Sequence, residues 1–318
     1  MQANVILKPR DEWNVIDASK LTDYMSCPRR YFFRSLLGWI PIMPNNHLTF
    51  GTAWHMALEH LLLHNYSKES LTEATHIFED RYRRDFGVET DGLYGAKSPY
   101  NAMLGLIEYY NRFKTDVDNY DTLYTEVGGK VKLGDNAVLA FRIDCIRRDR
   151  HTGQIEVLDH KSSQRRMAGW DRIWSLSVQL LSYIHVLYSL WDIDKIKGGR
   201  VRATFFYKKE IKFEEARVRK TPADMESFLV DVLTYYDMLR KDTYLLMETC
   251  NDSDLAMAAF PRNQNGCYHY GRLCEYFDVC EAWSNPLQHC DETPEGYRIE
   301  FWDPLSDERI RNEVDLSQ

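Results

Sequence analysis

Apolar residues recur at helical spacing through the first third of the chain and switch to strand-like alternation near residue 122. Before the switch the pattern predicts five helices. Ser19 stands where a cap would open the first. Pro28 suits the first turn of the second, in which Tyr31, Phe32 and Leu36 share a face until Gly38 stops it. A third follows Gly51, with Trp54, Leu58, Leu61 and Leu62 as its apolar stripe, and two more are expected over 71–86 and 100–117. After the switch, 123–133, 137–148 and 154–160 read as strands, separated by the turn signals Gly134-Asp135-Asn136 and His151-Thr152-Gly153, so an antiparallel meander is expected. A helix over 174–190, a strand over 201–208, a hairpin return over 211–217 and a long helix from Thr221-Pro222 to about Leu246 follow. The remainder is irregular and cysteine-rich, and no internal repeat or low-complexity tract occurs.

At 318 residues, 44% of them hydrophobic and 28% charged, the chain is long enough for a real core and is neither disordered nor a disulfide scaffold. The uncharged stretch Val178 to Trp191 is 14 residues, too short to span a bilayer. The opening MQANVILKPRDEW lacks the features of a secretory signal, so a cytoplasmic protein without membrane association is expected. There, seven cysteines read as thiols, metal ligands or cluster ligands rather than disulfides. The net charge of -8 argues against indiscriminate coating of nucleic acid but leaves a focused cleft open. Residues 200–220 carry eight basic and three acidic side chains, whereas 291–318 carry nine acidic and three basic. Each run taken alone is a solvated face.

Alternation along 138–146 places Leu139, Phe141, Ile143 and Cys145 on one face and Ala140, Arg142 and Asp144 on the other. Cys145 thus reads as a core thiol. Asp144 lies within a strongly apolar strand, where a lone carboxylate is costly unless a cation compensates it. On the next strand Asp159 and Lys161 share a face. Two carboxylates on neighbouring strands beside a lysine suit a hard divalent cation that holds a phosphate and a water. For an isolated D-x-K triplet, a strand-end salt bridge is the plainer reading. Gln179 and Tyr183, four apart on a helix, share a face, as a pair at the core edge also would. His55 lies four residues before Glu59, and a lone histidine is more often structural than a ligand. Cys267, Cys274 and Cys280 fall in the loop-rich segment GCYHYGRLCEYFDVC, which points to metal or cluster ligation. Cys290 would complete a local site, Cys27 would tie in the first helical segment, and Cys250 is a third choice.

In this order the segments SKLTDYMSCPRRYFFRSLLG, FGTAWHMALEHLL, TEVGGKVKL, FRIDCI, VLDHKSS, VQLLSY and the late cysteines resemble the RecB-type nucleases of the PD-(D/E)XK superfamily. The likeness is to their iron–sulfur branch, which includes AddB nuclease domains and CRISPR-associated exonucleases, and it covers about 17–282. It implies an α/β fold: a restriction-endonuclease-like core with a mixed β-sheet flanked by helices, a helical N-terminal layer and a C-terminal cysteine-rich segment. It further implies one nuclease domain over 1–318, with the helical layer at 17–118, the core at 119–250, the iron–sulfur segment at 260–290 and an acidic tail at 291–318.

By the same resemblance, His55, Asp144, Asp159 and the backbone carbonyl of His160 would bind Mg²⁺ or Mn²⁺. Lys161 would activate the attacking water, Glu126 would stand at the edge of the site, and Gln179 and Tyr183 would position the DNA. Cys27, Cys267, Cys274 and Cys280 would hold a [4Fe-4S] cluster, although six residues separate its second and third cysteines where many relatives have two. Arg29, Arg30, Arg165, Arg166 and the basic hairpin after Arg200 would contact phosphates. Trp170 and Trp174 could stack bases but are the better candidates for core packing. The implied activity is metal-dependent DNA hydrolysis, exonucleolytic on single strands or duplex ends, in recombination, repair or phage DNA processing. Two rivals are a DNA-end-binding scaffold working with a helicase or integration partner, and a zinc-binding interaction protein using Cys267, Cys274, Cys280 and Cys290. No G-x-x-x-x-G-K-S/T loop occurs, so a helicase would be a separate partner; oligomers occur among relatives. The tail would be a docking segment or simply solvated.

Overall fold

The computed structural model describes residues 7–269, 272–306 and 309–317. Helix α1 (Ala18–Ser26) is capped by Asp17, whose side chain accepts the Lys20 N–H, so Ser19 lies inside the first turn rather than at the cap. A capping oxygen must precede the helical residues it serves, which Asp17 does. Past Cys27, α2 (Pro28–Tyr31) continues in π-helical turns over Phe32–Leu36 and ends near Gly38, at φ +67. After β1 (Trp39–Pro41), α3 (Asn46–Leu63) starts earlier than its apolar stripe suggests, because the Asn45 side chain caps it. Helices α4 (Lys68–Arg83), α5 (Pro99–Phe113) and α6 (Asp116–Asn119) complete the N-terminal layer.

The sheet strands are β2 (Tyr120–Gly134), β3 (Ala137–Asp149), β4 (Ile155–Ser163), β5 (Ile196–Phe206) and β6 (Ile211–Val218). The expected helix over 174–190 is broken into α7 (Trp170–Ile173), a 3-10 turn at Trp174–Leu176, and α8 (Val178–Leu190). Ser177 makes the break: its backbone is extended and its hydroxyl accepts the Leu180 N–H as a new cap. Helix α9 (Pro222–Glu248) opens with a Thr221–Asp224 capping box and proline in its first turn. Then come β7 (Tyr268–His269), β8 (Arg272–Leu273), α10 (Phe277–Ala282), β9 (Tyr297–Ile299) and β10 (Asn312–Leu316).

The main sheet has the order β10-β2-β3-β4-β5-β6. Strands β2, β3 and β4 form the antiparallel meander, β5 joins β4 in parallel through the α7–α8 crossover, and β6 returns antiparallel. This is a mixed α/β sheet flanked by helices. The tail departs from expectation: β9 pairs with β1, and β10 pairs in parallel with β2, so two segments of 291–318 belong to sheets. Two apolar cores flank the main sheet. One gathers α1, α2, α8, α9 and residues such as Val157, Val201 and Phe205; the other gathers α3, α4 and α5 around Trp54, Leu58, Leu158 and Phe206. Cys145 is a core thiol, but it joins the second core while Leu139, Phe141 and Ile143 join the first. The alternation reverses at Asp144, where the β2–β3 ladder skips the left-handed Glu126, so that Ile146 rather than Cys145 returns to the first core. Among the described residues no single helix is long and apolar enough to cross a membrane.

Candidate metal centre

The ladder between β3 and β4 runs from Arg148–Ile155 to Cys145–Leu158 and stops there. Past that point Asp144 turns its carboxylate toward β4, where Oδ2 accepts the backbone N–H of His160 at 2.8 Å. Helix α3, fixed by burial of Trp54, Leu58 and Leu61, brings His55 Nδ1 to 3.2 Å from the same oxygen. Glu126 arrives from β2 with its backbone at φ +40, a left-handed conformation rare for a residue with a side chain. His55, Glu126 and Asp144 thereby offer ligand atoms that all lie within 4.8 Å of one another, which no other His/Cys/Asp/Glu group among the described residues does. Glu126 is 2% exposed, and its Oε2 lacks a hydrogen-bond partner, although Arg142 Nε stands 3.4 Å away. An orphaned buried carboxylate oxygen facing a histidine and a second carboxylate is the donor set of a divalent-cation site.

Asp159 belongs to an adjoining chain of contacts. Lys161 Nζ lies 3.0 Å from Oδ1 and 2.9 Å from Oδ2 of Asp159, and donates to Gln179 Oε1 at 3.0 Å; Gln179 Nε2 donates in turn to Tyr183 OH at 2.9 Å. Asp159 Oδ2, close to the ammonium but outside hydrogen-bond alignment, is a second orphaned buried oxygen. Gln179 and Tyr183 stand one turn apart on α8, so a single helix face serves the β4 motif.

The titratable groups of the cluster perturb one another. Burial, reinforced by Asp144, pushes Glu126 up to about 7 against the pull of Arg142 and His55. Burial works upward on Asp144 too, but His55 beside it, then Lys161 and His160, outweigh that effect and hold it below the usual carboxylate range. His55 is held up by Asp144 despite burial, which opposes its protonation. Asp159 is raised by burial, with Lys161 opposing and Asp144 adding to the rise.

The other sequence candidates divide. The His160 ring is buried behind the site, with Nε2 at 2.9 Å from the Tyr109 hydroxyl and Nδ1 at 3.9 Å from Asp144 Oδ2. Arg29, expected at a phosphate, is 3% exposed: it donates to the carbonyls of Phe260 and Met257, and its Nη1 is buried without a partner, so burial closes it to a phosphate. Arg30 pairs with Asp23 and Glu275, joining α2 to the cysteine-bearing segment. Arg166 is held by Glu214 and Asp171, while Arg165 is exposed. In the basic hairpin, Arg200 and Arg202 are buried against Glu156, Glu215 and Asp116, which removes them as phosphate contacts. Trp170 packs on Phe205 and Trp174, and Trp174 lies with its ring 6.0 Å from Lys161 Nζ.

Chain topology brings Cys27, Cys267, Cys274 and Cys280 to one place. Gly266 lies so close that a Cβ on it would be 3.1 Å from Cys27 Cβ, and the Asn263 N–H points at Cys27 Sγ at 3.4 Å. Cys274 N–H donates to the Cys267 carbonyl at 2.8 Å, and the Cys280 thiol feels both Cys27 and Cys267 electrostatically. Cys290 instead donates to the Pro286 carbonyl, and burial raises its thiol to about 12.

Three residues at the site escaped sequence reasoning. Glu59 is buried one turn beyond His55 and accepts from Thr125 at 3.4 Å and Arg311 at 3.2 Å; its i+4 spacing was the available signal. Lys97, lowered to about 8 by burial, donates to both oxygens of Ser162 at 3.1 Å, just past the D-x-K motif. Arg311 comes from the tail. For the latter two no local pattern exists.

The family model described as the PD-(D/E)XK nuclease superfamily matches residues 16–281. Among solved structures, the crystal structure of SSO0001 is 15% identical, with a TM-score of 0.32, over 76% of this chain and 87% of that one. No curated protein matches the chain.

Proposed function

The chain belongs to the PD-(D/E)XK nuclease superfamily, which implies a metal-dependent phosphodiester hydrolase acting on nucleic acid, and on that premise we propose a DNA exonuclease of the RecB type with a structural [4Fe-4S] cluster. The observation that carries the nuclease reading is the pairing of the His55–Glu126–Asp144 donor set with the Asp159–Lys161 motif on adjacent strands. His55, Asp144, Asp159, the His160 carbonyl and Glu126 would hold Mg²⁺ or Mn²⁺. Such an ion would polarise the scissile phosphate and acidify a water. Lys161, tethered between Asp159 and Gln179, would place its ammonium against charge developing on the phosphate. Tyr183 fixes Gln179, and so fixes where that ammonium stands.

Four cysteines from both ends of the chain support the cluster. A cluster there would clamp the two ends of the chain around the core. The complete carboxylate–lysine set weighs against a scaffold without catalysis. Anaerobic purification with iron analysis, followed by end-labelled single- and double-stranded DNA in Mn²⁺ or EDTA, tests the finer reading. A brown protein that shortens DNA from an end supports it; a colourless one cutting only internally overturns it.

A further inference from the structure

The family match ends at residue 281, yet the tail beyond it reaches the metal centre. The Arg311 backbone N–H donates to the carbonyl of Glu126 at 3.0 Å, at the one residue of β2 whose backbone is left-handed. The Arg311 side chain pairs with Glu59 at 3.2 Å, one helical turn from His55. From there β10 runs in parallel register with Val127 to Val131.

The sequence of β2 is fitted to that docking. Gly128 and Gly129 interrupt a strand of otherwise larger residues. A Cβ on Gly128 would lie 2.6 Å from Ile310 Cδ1, and one on Gly129 would lie 1.8 Å from the Val314 carbonyl oxygen. Glycine inside a strand weakens it and marks a place where another backbone approaches closely. The adjoining segment is anchored as well: Phe301 lies under the Arg10 guanidinium, and Trp302 Nε1 donates to Asp17 Oδ2 at 3.0 Å.

We propose that the C-terminal strand is a strap that sets the metal centre, with Arg311 as a positioning residue that pins the kinked backbone of Glu126 and holds Glu59 beside His55. A left-handed backbone at a non-glycine residue persists only where its surroundings over-determine it, and the Arg311 N–H is a hydrogen bond made from outside the β2–β3 hairpin. Released from the strap, Glu126 relaxes toward ordinary strand geometry and its carboxylate leaves the His55–Asp144 pair. Partners behind a metal ligand typically change metal affinity by about 10- to 100-fold. The proposal rests on the metal reading given above.

The test is Mn²⁺ binding to the full chain without DNA, followed by the electron paramagnetic resonance of free Mn²⁺. Gly129→Ala displaces the strap without altering any charge, and Arg311→Pro removes the donor N–H. Each is expected to bind Mn²⁺ about tenfold more weakly than wild type, with faster hydrogen exchange over 310–316 and near-wild-type circular dichroism. Wild-type affinity in Arg311→Pro, or in Gly129→Ala once exchange shows the strap released, overturns the proposal. Asp144→Ala separates this from the underlying reading: if it binds Mn²⁺ like wild type, or wild type binds none, the metal centre itself is wrong.

Discussion

At 3% exposure, the Arg29 guanidinium is closed to a phosphate; its Nε and Nη2 donate to two carbonyls of the segment before Cys267. Arg29→Ala would leave those acceptors unpaired, so the expected outcome is a loss of about 1–3 kcal/mol in unfolding free energy with DNA affinity unchanged. Exposed Arg165 is the contrasting case: Arg165→Ala is expected to weaken DNA binding and its salt dependence while leaving the melting temperature alone, as salt-titrated binding would show. At this scale the D-x-K motif, Asp144 and the Gln–Tyr pair were legible because strand and helix periods fix which side chains share a face. Arg29 was misread because charge alone does not tell a buried arginine from an exposed one. Glu126 was placed only at the edge of the site, since nothing in TEVGG announces a left-handed glutamate.

Among elements, the end of the β3–β4 ladder makes room for Asp144, and α3 brings His55 to it from the second core. Strands β3, β4, β5 and β6 and helix α6 are joined by a buried network in which Arg147, Arg200 and Arg202 meet Glu156, Glu215 and Asp116. Burial works to raise Glu215, but Arg202 and Arg200 overcome it and hold its carboxyl down at about 2, from an ordinary 4.5. A depressed carboxylate contributes stability that is complete above its unfolded value and is lost as pH falls through the folded one. Chemical denaturation from pH 5 down to pH 2.5 is therefore expected to show the wild-type advantage over Glu215→Gln shrinking steadily; a constant difference would contradict the ion-pair account. The sequence showed this segment as basic but not as buried, because burial depends on acidic partners that other strands supply. The helix over 174–190 was similarly legible in its apolar face and illegible in its break at Ser177, where a local cap overrides a continuous pattern.

Over the whole molecule, both ends of the chain close on the catalytic sheet. Cys27 meets the late cysteines, β9 pairs with β1, and β10 extends the sheet beside β2. The meander, the crossover and the return hairpin could be read from alternation and turn residues. The tail could not, because nine acidic residues mask the Val314 and Leu316 that pack against the core, and parallel pairing with a strand about 185 residues earlier leaves no local trace. If the cysteines hold a cluster, Cys274→Ser is expected to lose iron and its absorbance and to lower the melting temperature, while Cys290→Ser keeps both; iron analysis and thermal melts decide it. Metal-dependent hydrolysis is proposed at the His55, Asp144, Asp159 and Lys161 site. Its most direct test is the rate of DNA hydrolysis in Mn²⁺ by wild type and by Lys161→Met, with DNA binding measured alongside. Wild type is expected to cut only with metal, and the variant to bind DNA but cut at least about a hundredfold more slowly; equal rates, or cutting undiminished by EDTA, would contradict catalysis at this site.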